Sequence, residues 1–324
     1  MNDLGIRSVS VFGSSGKLGK ALIPELLSKG LAVCAMVHNT PLGIEHENLR
    51  VVRGDVGNAA DVREALGDSE AVLCLATTKE DPETFFDVSI RGTFNILDEC
   101  HKRGGLKQVL LAGGDASVGI WFYPHTEPIN EHHALMAYPG YYAFSKVIEE
   151  VMAQQYSIQY DLPVTILRMS WIFQQDDILG HLSLRNLNPA EKGHGWDEYL
   201  TDEHRAILER GENRIPILVN DEGIPYTRHI VHIDDVIHGF DVALGAELAI
   251  DQTFHIAAPA AFRYDQAAAY LAGKTGMDTT EITAAGYYSF EIDVSKARDV
   301  LGYTPRYDIR GIIDDALAWR AAQA

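Results

Sequence analysis

Ser8-Val-Ser-Val-Phe12 runs straight into Gly13-Ser-Ser-Gly16-Lys-Leu-Gly19, and Ala21, Leu22, Leu26 and Leu27 follow at helical spacing. The order is strand, glycine turn, amphipathic helix. Glycines let the backbone turn tightly and approach a phosphate, while the first turn of the helix offers unpaired N–H groups to an anion. The spacing is G-x-x-G-x-x-G, not G-x-G-x-x-G, and glycines also cluster in ordinary turns, so position carries the argument. From about residue 5 to 170, strand and helix patterns alternate, which predicts an α/β doubly wound parallel sheet with helices on both faces.

In that frame Gly13, Ser15, Gly16, Lys17, Leu18 and Gly19 line a dinucleotide pyrophosphate. A second strand, Ala32–Val37, ends at His38 and Asn39, where an acidic residue would hold the adenosine ribose of NAD. With no carboxylate at that position, and with Lys17 and His38 as candidate partners, a 2′-phosphate is acceptable and the charges lean to NADP. Read as solvated polar residues, the same side chains leave NAD equally open. Val51–Asp55 reads as a third strand ending near the adenine, with Val56 following. Ala71–Thr77 reads as a fourth, bringing Leu75, Ala76 and Thr77 under the cofactor. Both also fit plain sheet core.

Tyr142 and Lys146 stand four apart in a helical pattern, on one face and one turn from each other. A free phenol, with a pKa of ~10, is a poor base at neutral pH. A neighbouring ammonium and an oxidised nicotinamide both favour the phenolate, which makes the pair a proton-transfer device. A surface tyrosine lying on a lysine stem gives the same spacing; the glycine turn and alternating strands upstream favour catalysis.

With these pieces in place the chain resembles the extended short-chain dehydrogenase/reductases, the NAD-dependent epimerase/dehydratase family. Arg91–Leu97 is similar to the family's G-T-x-N-x-L helix, Leu167–Phe173 to its L-R-x-x-x-V-Y strand, Arg228–Val236 to R-D-F-V-H-V-x-D-V, and Val294–Pro305 to S-K-A-x-x-x-L-G-[WY]-x-P. The resemblance implies a Rossmann-like domain over 1–173, with 228–258 returning to it, and a substrate-binding lobe from 174–227 plus 259–324. Gly193 and Gly195 break the pattern in that lobe, and 197–210 reads as a helix. It also implies that Tyr142 takes or gives the proton, that Lys146 holds the cofactor ribose, and that the protein is a homodimer through the helices near 84–103 and 141–157. Phe85, Val88, Phe94 and Ile96 supply apolar surface on the first of these.

The departures are specific. Family members carry a serine at the end of the fifth strand; here Gly114 stands at that position in Val109–Ser117. Ser117 takes the serine's catalytic place if the loop bulges; otherwise Asp115 or backbone N–H groups orient the substrate. Trp171 replaces an asparagine that touches a nucleotide sugar, whereas Arg228 matches the arginine that holds its phosphate, so the two signals conflict. An arginine ahead of a strand is also often a solvated charge. Gly114–Gly119 with Phe122–Pro124 also looks somewhat like the matching loop of uronate dehydrogenases. The rings of Trp121, Phe122 and Tyr123 could wall a substrate pocket or simply anchor their own loop.

The 324 residues are 46% hydrophobic, with no apolar stretch as long as the ~18 residues of a membrane span and no basic-then-apolar leader, which predicts a cytoplasmic enzyme. A net charge of −19 argues against nucleic acid and anionic membranes as partners. Cys34, Cys74 and Cys100 read as reduced core cysteines, and His125, His132 and His133 as a solvated loop cluster rather than metal ligands. The leading expectation is an NAD(P)-dependent oxidoreductase or epimerase acting on a sugar, nucleotide sugar or sugar acid, with dehydration least favoured because Tyr141 and Ala143 flank Tyr142. A cofactor-binding sensor without turnover is the alternative, which the missing serine favours and the intact Tyr142 and Lys146 oppose.

Overall fold

The computed structural model describes residues 2–187 and 197–323; Gly193 and Gly195 lie outside them. Strand β1 (Ser8–Phe12) is buried on both faces and leads into helix α1 (Lys17–Ser28). β2 (Ala32–Val37), β3 (Leu49–Arg53), α2 (Ala59–Leu66) and β4 (Ala71–Cys74) follow. A single turn of helix, α3 (Pro82–Thr84), passes into a π-helical segment, Phe85–Gly92, and then into α4 (Thr93–Arg103). β5 (Gln108–Gly114), α5 (Tyr141–Tyr160) and β6 (Val164–Met169) complete the first half.

Seven strands form one parallel sheet in the order β11-β6-β5-β4-β1-β2-β3, with β11 at Gln252–Ile256. This is the Rossmann-like, doubly wound arrangement expected. The chain leaves β1 in one direction towards β2 and β3, and returns on its other side through β4. Ligands bind outside the carboxyl ends of the strands at such a reversal. Both faces are covered, so the strands read as nearly continuous apolar runs. Val9, Val11 and Leu73 pack against Leu22, Ile23 and Phe240 on one face; Phe12, Cys34 and Cys74 pack against Val62, Ile96, Leu97 and Ala153 on the other. All three cysteines are free and buried. Ile96 therefore belongs to the core; the outward apolar positions on this side are Phe86 and Phe94, with Phe144, Val151 and Ile158 on α5.

The second lobe is assembled from distant stretches. β7 (Trp171–Phe173) pairs in parallel with β10 (Ile230–His232), and β8 (Ile215–Val219) with β13 (Thr279–Thr283). The expected helix over 197–210 is a 3-10 turn, Asp197–Tyr199, and a helix, Asp202–Glu209, capped by Thr201. Val118, Ile120 and Trp121, which follow β5, bury into this lobe's core with Ile178, Tyr264 and Phe290. In the other direction, Ala297 and Tyr303 bury in the nucleotide domain's core, and buried Asp235 accepts from the backbone N–H of Arg306 and Tyr307. The chain thus crosses between the two bodies again after residue 259. Among the described residues no helix is long and apolar enough to cross a membrane.

Candidate active site

The glycine turn is closed to side chains. Gly13 has φ +90°, and a Cβ there would come within 2.7 Å of Ala76 N; one on Gly19 would lie 2.5 Å from Gly13 O. Ser14 Oγ folds back to donate to Val11 O at 2.7 Å. Ser15, Gly16, Lys17 and Leu18 stay partly or fully exposed at the mouth. No side chain caps α1 and no acidic residue occupies its first turn, so its positive end is open to an anion. The cradle fits a dinucleotide pyrophosphate. Leu75 N donates to Phe12 O, which carries Leu75, Ala76 and Thr77 past Gly13.

The charges beyond β2 differ from expectation. Lys17 Nζ donates to Asp177 Oδ2 at 2.6 Å and to Ile172 O, so it leans towards the β6 side of the turn, away from the end of β2. His38 Nε2 instead lies 3.9 Å from Asp55 Oδ2, with Asn39 exposed beside it. Lys17 and His38, the two partners that gave the lean to NADP, therefore do not converge in this structure. Val56, next in the chain, is fixed by Asn95 Nδ2 donating to its carbonyl at 2.8 Å.

Tyr142 and Lys146 are brought to the same edge of the sheet. Glu80, in the loop after β4, accepts from Tyr141 N at 2.8 Å and from Tyr142 N at 3.4 Å, capping α5 where its N–H groups lack partners. Lys146 Nζ lies 5.6 Å from the Tyr142 ring centre and donates to Ala112 O at 3.1 Å and Glu149 Oε2 at 2.8 Å. Burial, then the carboxylates of Asp115 and Glu149, push the Tyr142 phenol above its ordinary pKa. Gly114 faces this phenol, and a Cβ on it would stand 3.4 Å from Tyr142 Oη.

Ser117 is placed differently from the expectation that it replaces the family serine. The segment after β5 winds as a 3-10 turn, Asp115–Val118, and does not bulge. Ser117 Oγ is fully buried, donates to Gly114 O at 2.9 Å and faces Glu150. Asp115 is the residue this turn delivers to the site. Its carboxyl, 8% exposed, is pushed up to about 6 by burial. Ser170 Oγ lies 2.9 Å from Asp115 Oδ2 and 2.7 Å from His229 O. A hydroxyl has one proton, and the carbonyl can only accept it. Ser170 therefore shares its single proton between the Asp115 carboxyl and the His229 carbonyl.

Arg228 is not a solvated charge. Its guanidinium carbon lies 4.9 Å from the Trp121 ring centre and 4.5 Å from that of Trp171, so two indoles pack against the cation. Its Nε is buried without a hydrogen-bond partner among the described residues. Trp121 is thus both a loop anchor and a wall of the site, and Phe122 stacks on Tyr138. His125 and His133, expected to be solvated, are half-buried with ring centres 5.8 Å apart. Among the described residues no group of three or more His, Cys, Asp or Glu is placed to hold a metal ion.

Ser170, Glu80 and Glu149 were missed from sequence. Ser170 sits where the strand ends, as site residues often do; no local spacing marks Glu80 or Glu149.

A model of the NAD-dependent epimerase/dehydratase family matches residues 9–257. A chloroplastic protein of Arabidopsis thaliana, uncharacterised, is 34% identical over 119 residues, 34% of this chain and 42% of that protein. The human sterol-4-alpha-carboxylate 3-dehydrogenase (decarboxylating) is 26% identical over 161 residues, 46% of this chain and 40% of that protein. The chain thus spans less than half the length of these two curated relatives. Among solved structures, a short-chain dehydrogenase/reductase superfamily protein of Agrobacterium tumefaciens with bound NAD superposes with a TM-score of 0.86 at 20% identity, covering 98% of both chains. The UDP-glucuronic acid 4-epimerase of Bacillus cereus with NAD gives 0.75 at 18% identity, covering 98% of this chain and 99% of that one. At such identities these likenesses establish the fold.

Proposed function

The chain belongs to the NAD-dependent epimerase/dehydratase family, whose members are nicotinamide-dependent enzymes of the short-chain dehydrogenase/reductase type, and from that premise we propose that it oxidises or reduces a carbinol carbon of a sugar-like, anionic small molecule. One observation carries this reading. The closed glycine cradle after β1 and the pair of half-buried Tyr142 and buried Lys146 on α5 open at the same carboxyl edge of one sheet.

The nicotinamide supplies the hydride acceptor or donor. The rest falls to the chain. Tyr142 Oη takes the substrate hydroxyl proton, or returns it to a carbonyl oxygen, and the Lys146 ammonium lowers the cost of the phenolate. Asp115 and neighbouring backbone N–H groups orient the substrate oxygen in place of a side chain at Gly114. Arg228, packed against two indoles, offers guanidinium N–H groups that suit a carboxylate or phosphate on the substrate. Asp55 beside His38 favours NAD over NADP. The outward Phe86, Phe94, Phe144, Val151 and Ile158 support a homodimer through α4 and α5, checked by solution mass.

The deciding experiment has two stages. The purified protein is denatured and any released nucleotide identified by mass spectrometry, then sugars, sugar acids and nucleotide sugars are screened with NAD and NADP. Retained NAD with no net cofactor turnover supports an epimerase; reversible binding with turnover supports a dehydrogenase. Failure to bind either nucleotide sinks the proposal. Gly114 favours a second reading, a cofactor-binding protein without turnover, which gains ground if nucleotide binds and no compound in the screen reacts.

A further inference from the structure

Glu149 is a second charge in the catalytic helix that the proton-transfer role of Tyr142 and Lys146 does not require. It lies one turn beyond Lys146 on α5; the lysine and glutamate side chains are 4% and 1% exposed, and they form an ion pair of 2.8 Å. Its other oxygen, Oε1, is buried with no hydrogen-bond partner among the described residues. The groups around the pair are few: Tyr142 on α5, the Ala112 carbonyl on β5, and Cys74 on β4, whose thiol is influenced by both charges. Among the described residues Lys146 is the cation that pairs with Glu149. A buried ion pair with one carboxylate oxygen unpaired is costly, and replacing both partners by apolar residues is often neutral or stabilising. The position of Glu149 beside the lysine gives it a use.

We infer that Glu149 is a positioning and charge-balancing residue that cancels the Lys146 ammonium and so biases the nicotinamide site towards the oxidised, cationic ring. This rests on the reading of Lys146 as the cofactor-ribose lysine. The physical basis is simple. The oxidised ring carries one positive charge more than the reduced ring. An uncompensated ammonium nearby disfavours the former, while an ion pair of no net charge leaves it acceptable. In the low-dielectric interior this difference is not screened away by salt.

The test is the ratio of NAD to NADH dissociation constants, measured by calorimetry and by nucleotide fluorescence on the intact protein. Glu149→Gln keeps the shape and removes the charge; it raises the ratio by about tenfold or more, since ~1.4 kcal/mol per decade is modest for a buried unit charge at this range. Lys146→Met leaves the carboxylate alone and moves the ratio the other way, which keeps the idea testable if Glu149→Gln folds poorly. The double variant returns towards the wild-type ratio. A ratio unchanged within about twofold in both folded single variants overturns the inference, because a purely structural ion pair would not distinguish the two oxidation states. If the wild-type protein binds neither NAD nor NADH, the functional reading itself fails, and that outcome is separate from the first.

Discussion

Tyr142 Oη lies 3.4 Å from the point where a Cβ on Gly114 would stand, so the end of β5 faces the phenol with bare backbone. Gly114 has φ −153° and ψ 152°, an extended conformation open to any residue. Gly114→Ser therefore folds, with Tm within about 3 °C of wild type. Asp115→Asn lowers kcat/KM by about 100-fold, the scale of losing one oriented group at the reacting oxygen. Gly114→Ser in that background recovers part of the loss. Steady-state kinetics on the substrate found in the screen checks both.

Tyr142→Phe removes the proton carrier and leaves the glycine cradle untouched. It lowers kcat by about 1000-fold or more, while NAD affinity changes less than about threefold. Retained turnover would remove Tyr142 from its assigned role.

The Asp115 carboxyl, normally at 3.8, stands at about 6 in the folded protein because burial disfavours its charge. The folded state therefore holds this proton more tightly than the unfolded chain. The stability it contributes is fully present below the unfolded pKa and is lost as pH rises through about 6. A two-unit shift corresponds to about 3 kcal/mol at most. His229 and His255, held neutral by burial at about 4 and about 3, act in the opposite sense on acidification. Denaturant unfolding of wild type and Asp115→Asn at matched pH isolates the Asp115 contribution; the stability difference between them grows from pH 4 to 7 and then levels.

Arg168 on β6 and Glu150 on α5 form a buried ion pair, 3% and 0% exposed, at 2.5 Å. Arg168→Met strands the carboxylate and costs about 3–5 kcal/mol, whereas Arg168→Met with Glu150→Leu recovers most of it. Chemical denaturation of both variants measures the difference.

Arg228→Ala removes the cation packed against Trp121 and Trp171. It raises KM for an anionic substrate by about tenfold to 100-fold, with a much smaller effect on a neutral analogue. Equal losses for both would mean that the arginine supports the pocket wall and binds no anion.

The strands, the glycine turn and the Tyr142–Lys146 spacing are local patterns, and they were legible. Ala32–Val37 was bounded to the residue, because a parallel strand buried on both faces leaves an apolar run, here entered after Gly30-Leu31 and cut off by His38 and Asn39. What escaped was pairing across the chain. Lys17 meets Asp177 at a separation of 160 residues, and no local spacing announces that contact. The conformation of Asp115–Val118 also escaped. Whether Ser117 or Asp115 turns to the site depends on one 3-10 turn, and the residues alone allow either outcome. No local spacing marks Glu149 and Glu150 either, yet both are buried, each against a different cation.

The pairing of β8 with β13 bears on how the chain is made. Ile215–Val219 finds its parallel neighbour only in Thr279–Thr283, and β7 likewise waits for β10. During synthesis the six strands through Met169 can assemble among themselves, while β7 has no sheet partner until Ile230–His232 emerges and β8 none until Thr279–Thr283. A C-terminal truncation before Thr279 should thus leave an N-terminal sheet that still resists proteolysis and a middle segment that is cut. Long-range parallel pairing of this kind is slow to form, so the lobe that would choose the substrate is also the part of the molecule most exposed to aggregation as it is born.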